Sequence, residues 1–545
     1  MKMQLRHLGD KTFTFASGMS VLLMVAALVL ILGPMLSRGA GALVFDGTVE
    51  YRKMQYDMHG RGQRKPLETQ LKNAAKARAE VYRLMDNFAV MVDTSKVQKQ
   101  AKSIFRQFKI QLSNQVKNGT LAPEQAASLK FAGKELRNKL RRAYKTSNAQ
   151  EAHEKLDYVL NYADNRQFAD SVAGQFFTLA RQYKNVVSAA GLKHRETYAK
   201  SFREVQEIIK ELLGPQPGEP IPDLAQFQYG STRWGRAKIL RDRLLWAETW
   251  VAQGPDQPLK KTRTPREDQF AGTELAKLFP IMEQNLEKML LPQRTFYWQY
   301  FIDDSTPGHF FGGVGPEIIG TVLLTLLAMA IAVPLGVTAA GYLVECTGDG
   351  TFIRIIRTCI NTLAGVPSIV FGLFGLAFFV LYLQPKLGVG SGSTILAGAL
   401  TLTVLVLPVL IRASEEAIRA VPLTYKEASL GLGAGKFRTF VKVTLPAATP
   451  GILTGIILSM SRAAGETAPI LFTATVALGP VPKSIFQPTR TLSYGSYDIA
   501  VGDRIAAMVP HQQYGMVMTL IALVLVLNLT AIIIRRKLES KLRGH

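Results

Sequence analysis

Cysteine is nearly absent from this chain of 545 residues: Cys346 and Cys359 are the only two, so no disulfide framework organises it. Acidic residues are few, 41 against 65 Lys and Arg, and charged residues together make up 19%, below the roughly 25% usual in soluble domains. The seven histidines (His7, His59, His153, His194, His309, His511 and His545) are scattered, and none falls in an H-E-x-x-H metal pattern. There is no G-x-S-x-G nucleophile elbow. A P-loop, whose glycines let backbone N–H groups surround phosphates, is also missing. The stretch from Gly431 to Phe437 comes nearest, but Leu430 holds the place of the first glycine and Phe437 that of the magnesium-binding hydroxyl. The expectation is a chain with no catalytic residue, no metal ligand and no cofactor of its own.

What the chain does have is long apolar runs, separated by the charges. A bilayer-spanning helix takes about 20 mostly apolar residues. Six stretches meet that length: Gly18–Leu36, Ile318–Val344, Ile360–Leu383, Ile395–Ile411, Gly451–Leu478 and Gly515–Ile534. The first resembles a signal peptide, with Lys2, Arg6 and Lys11 before it. Its apolar run is longer than a signal core and no A-x-A site follows, so a retained anchor is expected. Short basic loops set the orientation. Arg354 and Arg357, the group from Arg412 to Lys442, and the group from Arg535 to Arg543 belong on one side with Lys2, Arg6 and Lys11. The other side has Lys386, Lys483, Arg490 and Arg504. Both termini are therefore expected in the cytoplasm, with the two cysteines near the cytoplasmic ends of spans two and three. The net charge of +24 invites a nucleic-acid reading, but no nucleic-acid motif accompanies it.

Between spans one and two, residues 38–313 carry about +14 and are expected outside the cytoplasm, since long segments translocate regardless of charge. Helical spacing of apolar residues predicts helices over Leu67–Met91, Ser95–Val116, Glu124–Tyr144, Phe168–Ala190, Tyr198–Leu213, Trp234–Val251 and Gln269–Leu290. Gly214–Pro220 and Gly254–Pro265 read as linkers. Phe296, Tyr297, Trp298, Tyr300 and Phe301 suggest an interfacial aromatic belt. This insert reads as a self-packed helical cap, a docking surface for a soluble partner, or an anion-capturing surface.

Residues 415–450 carry the most specific pattern. Thr424 and Glu427 have capping-box spacing, and Gly433 is placed to end a short helix in a left-handed conformation. A second amphipathic stretch, Lys436–Val443, is expected to end before Pro446. Glu427-Ala428-Ser429, then Gly433, then Val443-Thr444-Leu445-Pro446 after nine intervening residues, resembles the cytoplasmic coupling loop of ABC-importer permeases. Ser429 and Val443 stand where that family's pattern has Ala and Ile. The resemblance implies that Glu427, Ala428, Ser429, Gly433, Leu445 and Pro446 couple the chain to a separate ATPase, which carries the ATP and magnesium.

Charges inside a span are costly, about 2.5–3.5 kcal/mol each on the most lenient scale. Arg462 and Glu466 lie four apart in span five, so one helix face is expected to present both, as a structural ion pair or as an oxyanion site. Arg412, at the end of span four, is either a positive-inside anchor or the next station for the anion. Arg462–Pro469 with Ile470–Thr473 is similar to the RA-x-GETAP-x-LFT segment of phosphate-specific ABC permeases. Gly365–Leu373, Leu407–Ala417 and Gly312–Pro316 match that family as well.

The family most resembled is the A-type permease subunit (PstA), here with an enlarged N-terminal insert. It implies an all-α membrane protein of the MetI-like ABC-importer type, with six transmembrane helices and a large helical insert between helices one and two. Its parts would be residues 1–37 (N-terminus and first helix), 38–313 (periplasmic insert) and 314–545 (five-helix permease core, coupling loop at about 412–450). It further implies the permease subunit of an ATP-driven inorganic phosphate importer in a bacterial inner membrane. The implied partners are a homologous PstC-like permease, a PstB-like ATPase dimer and a PstS-like periplasmic phosphate-binding protein. The implied substrate path is Arg412, Arg462 and Glu466. The competing readings are a permease for sulfate or molybdate, a membrane-anchored sensor or scaffold, and an ion-driven secondary transporter.

Overall fold

The computed structural model describes residues 2–187, 192, 195–222, 226–251, 260–348, 350–502 and 507–542. Arg504, Arg543 and residues 188–190 and 254–259 of the expected elements lie outside these. The chain forms two compact units, one of Met1–Phe45 with Thr295–His545 and one of Asp46–Arg294.

Among the described residues of the first unit, six helices are long and apolar enough to cross a membrane: Thr12–Ala40, Gly315–Cys346, Ser368–Lys386, Ile395–Arg419, Lys436–Gly465 and Pro510–Ser540. They correspond one to one with the six expected spans, and two need their limits corrected. Span three starts at Ser368, because Pro367 lacks an N–H and disfavours helix in the residue before it. Residues 360–364 belong instead to a separate amphipathic helix, Thr351–Ala364, whose Ile353, Ile356 and Ile360 pack against the ends of spans two, four and five. Span five begins earlier than expected and stops at Gly465. Glu466 is extended (φ −75°, ψ 135°), and only the short turn Ala468–Leu471 follows.

Small residues let the spans approach closely, the usual device where lipid supplies no hydrophobic drive between helices. A Cβ on Gly451 would stand 2.6 Å from that of Ala417, and one on Gly455 would stand 2.6 Å from that of Ala413. Spans four and five are therefore antiparallel neighbours with backbones nearly in touch. Span four also reaches span two through Thr403, whose hydroxyl donates to the carbonyls of Ala328 (3.1 Å) and Ala399 (2.8 Å). The apolar run of span one is exposed within this chain, and the helix joins span six near its end, where Arg38 donates to the Tyr514 hydroxyl at 2.8 Å. The Tyr297 N–H donates to the Leu43 carbonyl at 2.7 Å, so the chain re-enters this unit beside the point where it leaves. The expected aromatic belt divides here: Phe296, Trp298 and Phe301 are exposed, while Tyr297 and Tyr300 are buried. The Tyr297 hydroxyl donates to Asp303 at 2.7 Å.

One end of the bundle is closed by buried charges. Arg490 ion-pairs with Asp304 and, at 3.6 Å, with Glu317, and donates to the Ser305 hydroxyl at 3.0 Å. The Arg490 side chain is 3% exposed and that of Glu317 1%, so this network bolts the loop before span six to the start of span two. His309 is buried nearby, with its Nδ1 unbonded and φ at +58°. Burial, and then the Arg490 charge, push its pKa down to about 4.

In the second unit, the expected helices recur as Arg64–Val92, Thr94–Lys117, Pro123–Lys145 and Arg195–Leu213, with Val49–His59 and Ala149–Leu160 in addition. The expected helix from Phe168 is interrupted: Arg166–Ala169, a 3-10 turn at Val172–Gly174 and Gln175–Val186 take its place. Trp234–Val251 is corrected as well. Its helix ends at Leu245, and Trp246–Val251 pairs as an antiparallel strand with Lys260–Pro265. Trp246, Thr249, Trp250 and Val251 are residue types that favour a pleated surface. Gln269–Leu290 resolves into 3-10 turns followed by the helix Leu278–Leu290.

Arg78 pins this unit together. It pairs with Glu50 at 2.8 Å and donates to the carbonyls of Leu213 (2.9 Å) and Met289 (2.7 and 3.0 Å). Those carbonyls lie at the C-terminal ends of two helices, where a cation satisfies orphan acceptors and opposes the dipole.

Two outcomes follow. Arg78→Met should destabilise the 46–294 unit by about 3–5 kcal/mol, the cost of stranding a buried partner, read by thermal unfolding; an unchanged midpoint contradicts the pin. For His309, the native state holds fewer protons than the unfolded state between pH 4 and pH 6.5. Its contribution, up to about 3 kcal/mol, is full above the unfolded pKa and is lost as pH falls through this window. His309→Asn, which tolerates the left-handed backbone, should flatten the pH dependence of the unfolding midpoint there.

Candidate functional site

The 421–450 segment is built on a proline start and a glycine stop. Its first helix runs Leu423–Gly431 with Pro422 as N-cap and no side-chain cap. This corrects the expected capping box: Pro422 starts the helix early, so Thr424 already lies in the first turn. The other end follows the expectation. Gly433 has φ +84°, its N–H donates to the Leu430 carbonyl (2.9 Å), and the Ala434 N–H donates to that of Ser429 (3.2 Å). These are the two bonds of a Schellman ending, which requires a left-handed residue at Gly433.

The stretch from Lys436 does not end before Pro446. It continues through a π-helical turn, Phe440–Thr444, directly into Leu445–Gly465, so Pro446 lies inside one continuous helical run, Lys436–Gly465, just after the turn that departs from α-helical bonding. Ser429 and Thr439 hydroxyls meet at 3.0 Å, and Lys426 pairs with Glu345 of span two at 2.5 Å. Leu445 packs into the cluster of Ala340, Leu343, Ile411, Ile418 and Ile452. The short helix is thus tied to spans two and five, and its outer side is apolar and bare. Leu423, Tyr425, Leu430, Leu432 and Phe437 are all exposed, Leu432 by 90%, beside exposed Glu427 and Ala428.

Arg462 lies in the last turn of its helix, and Glu466 stands just beyond the helix end. The expectation that both share one helix face is corrected to a pair that straddles a helix break. The two meet, with Arg462 Nε 3.3 Å from Glu466 Oε1, and their side chains are 36% and 19% exposed. The Ser493 hydroxyl donates to the Glu466 carbonyl at 3.2 Å, which anchors the broken strand. The terminal nitrogens of Arg462 have no partner among the described residues.

Arg412 is not brought to this pair. The contact of Ala413 with Gly455 puts Arg412 beside residue 456 of span five, roughly 9 Å from Arg462 along the helix axes. Leu410 and Met460, which lie between these levels, belong to an apolar cluster with Met329, Phe371 and Leu405. Arg412 instead lines a cavity of about 220 Å³ with Arg357, Ile360, Asn361, Glu415, Glu416 and Arg419. Glu415 holds Arg357 at 3.0 Å and Arg419 at 2.6 Å, while Arg412 is exposed and has no ion pair among the described residues.

Sequence reasoning counted Arg357 and Arg419 only as loop charges and overlooked Glu317 with its partner Arg490. Glu317 was findable, since it is an acid in the first turn of an apolar span. Its partner, 173 positions away, was not.

Residues 332–544 match the family model described as "binding-protein-dependent transport system inner membrane component". The probable ABC transporter permease protein YqgI of Bacillus subtilis is 37% identical over 235 residues, 40% of this chain and 76% of that protein. The phosphate transport system permease protein PstA of Xylella fastidiosa is 31% identical over 230 residues, 42% of this chain and 78% of that one. PstA 1 of Mycobacterium tuberculosis is 42% identical over 178 residues, 33% of this chain and 56% of that protein, so the chain spans a little over half the length of that relative. With six apolar spans, a polar break in the fifth and an exposed 423–437 knob, this chain belongs to the binding-protein-dependent ABC transporter permeases, related to PstA-type proteins and with a transport rather than an enzymatic role.

Proposed function

We propose that the chain is the transmembrane permease subunit of an ATP-driven importer of inorganic phosphate. The observation that carries this reading is the Arg462–Glu466 pair at a helix break inside the bundle, in a segment similar to the RA-x-GETAP-x-LFT stretch of phosphate permeases. Relatives named as phosphate transport permeases support the same substrate. A guanidinium offers a planar fork of donors to an oxyanion. Glu466 occupies only the Nε side, leaving the terminal nitrogens for phosphate while its charge opposes permanent capture. Arg412 and its cavity form the next station. The apolar cluster of Leu405, Leu410 and Met460 keeps the two stations apart until spans four and five move.

That movement is driven from outside this chain. Exposed apolar patches on an otherwise charged surface mark interaction sites, and the 423–437 knob fits a groove on a separate ATPase dimer of the PstB type. Its ties to Glu345 and to span five carry groove motion into the bundle, giving alternating access. A PstC-like permease completes the pathway, and a PstS-like binding protein delivers phosphate. In this reading both termini are cytoplasmic, and residues 38–313 face the periplasm of an inner membrane.

Reconstituted with ATPase, second permease and binding protein, the chain should take up labelled phosphate with ATP, and equimolar sulfate should leave uptake unchanged. Equal inhibition by sulfate assigns another oxyanion. Arg462→Ala should reduce uptake by about tenfold or more, the worth of one charge-assisted hydrogen bond, with assembly intact; normal uptake removes Arg462 from the path. Gly433→Val forces a β-branched residue to φ +84° and should abolish ATPase co-elution. Retained ATPase together with full transport would refute the docking role.

A further inference from the structure

The positive charge of the 46–294 unit is concentrated in one place. The helices Thr94–Lys117 and Pro123–Lys145 form a hairpin in which a Cβ on Gly133 would stand 2.8 Å from the Phe108 ring. Residues 94–145 contain thirteen Lys and Arg against two acids, Glu124 and Glu135. This is a net +11, out of about +14 for residues 38–313. On the second helix, Lys130, Lys134, Arg137, Arg141 and Lys145 recur at spacings of four, three, four and four, which is a single stripe. On the first, Lys99, Lys102, Arg106 and Lys109 do the same at three, four and three. Apart from Arg137, which is half-buried over the Phe105 ring at 4.7 Å, the stripe residues are exposed. Among the described residues, none of the nine forms an ion pair with an acid.

Like charges three and four apart destabilise a helix, so these stripes lower stability wherever nothing neutralises them. Lysines predominate, nine of the thirteen. They act as point charges suited to a field of anions rather than as forks for one carboxylate or phosphate. Two large apolar residues stand in the open on the same hairpin: Ile110, 54% exposed, next to Lys109, and Phe131, 72% exposed, next to Lys130. A soluble polyanion has no use for them. A bilayer surface takes both features, phosphates against the lysines and acyl boundary against the apolar side chains.

We infer that the 94–145 hairpin binds an anionic phospholipid surface through its two basic stripes, with Ile110 and Phe131 inserting at the headgroup boundary. This inference is independent of the transported substrate.

The test uses the full-length protein, with Cys346→Ser and Cys359→Ser and an environment-sensitive fluorophore on Phe131→Cys. It is reconstituted in phosphatidylcholine, or in phosphatidylcholine with about one third phosphatidylglycerol; added phosphatidylglycerol vesicles form a third arm. A blue shift is expected in at least one anionic arm and not in pure phosphatidylcholine. Salt near 0.5 M should reverse it by screening. The combined Lys102→Glu, Lys109→Glu, Lys130→Glu and Lys134→Glu variant alters only exposed positions. It should need at least about tenfold more anionic lipid for half the shift, with an unfolding midpoint no lower than that of the parent protein. No shift in any anionic arm, a shift equal in phosphatidylcholine, or a shift unaffected by the four substitutions overturns the inference. An equal shift with soluble polyglutamate overturns it in favour of an acidic protein.

Discussion

An ionised side chain inside an apolar helical bundle persists only beside a counter-charge or a route to water, and this rule organises the membrane unit. Three arginine sites stand at three depths. Arg490, walled in by Asp304, Glu317 and Ser305, is a fastening. Arg462 has one side held by Glu466 and, among the described residues, no further partner. Arg357 and Arg419 share Glu415 on the wall of a cavity in which Arg412 forms no ion pair with a described residue. The series runs from an arginine enclosed by two acids to one with no ion pair among the described residues. The span-five helix ends at Gly465, and the extended Glu466 meets Arg462 just beyond that end.

The coupling end follows a complementary logic. Its inner side is committed through the Lys426–Glu345 pair and the Leu445 cluster, whereas its outer side leaves Leu432 and Phe437 in solvent. Under the proposed function, inner rigidity and outer apolarity suit a part that transmits force received from a separate ATPase. The Schellman ending at Gly433 gives the knob a fixed shape before any partner arrives, so little ordering entropy opposes docking.

Much of this was legible in the sequence where the signal is local. Six apolar runs were each long enough to span a bilayer, and Gly433 sat where a helix needs a left-handed residue. The misreadings arose where a neighbouring residue changed the local outcome. Pro422 started a helix ahead of Thr424 and cancelled the capping box. Pro367 cut span three, and Trp246–Val251, although continuous with a helical pattern, found a strand partner at Lys260–Pro265. The Arg490–Glu317 network and the sharing of Glu415 by Arg357 and Arg419 were beyond reach, because each depends on tertiary contacts that no spacing encodes. The Arg462–Glu466 pair was predicted as a contact, although the helix break that produces its geometry was not.

The bond between the Tyr297 N–H and the Leu43 carbonyl has an evolutionary corollary. Some 250 residues leave and rejoin the bundle at adjacent points, so excising them would leave two ends that a short turn could ligate, at little loop-closure cost. A module attached in this way can be acquired, enlarged or discarded by a lineage without disturbing the transport machinery, and selection can reshape the two parts on separate schedules.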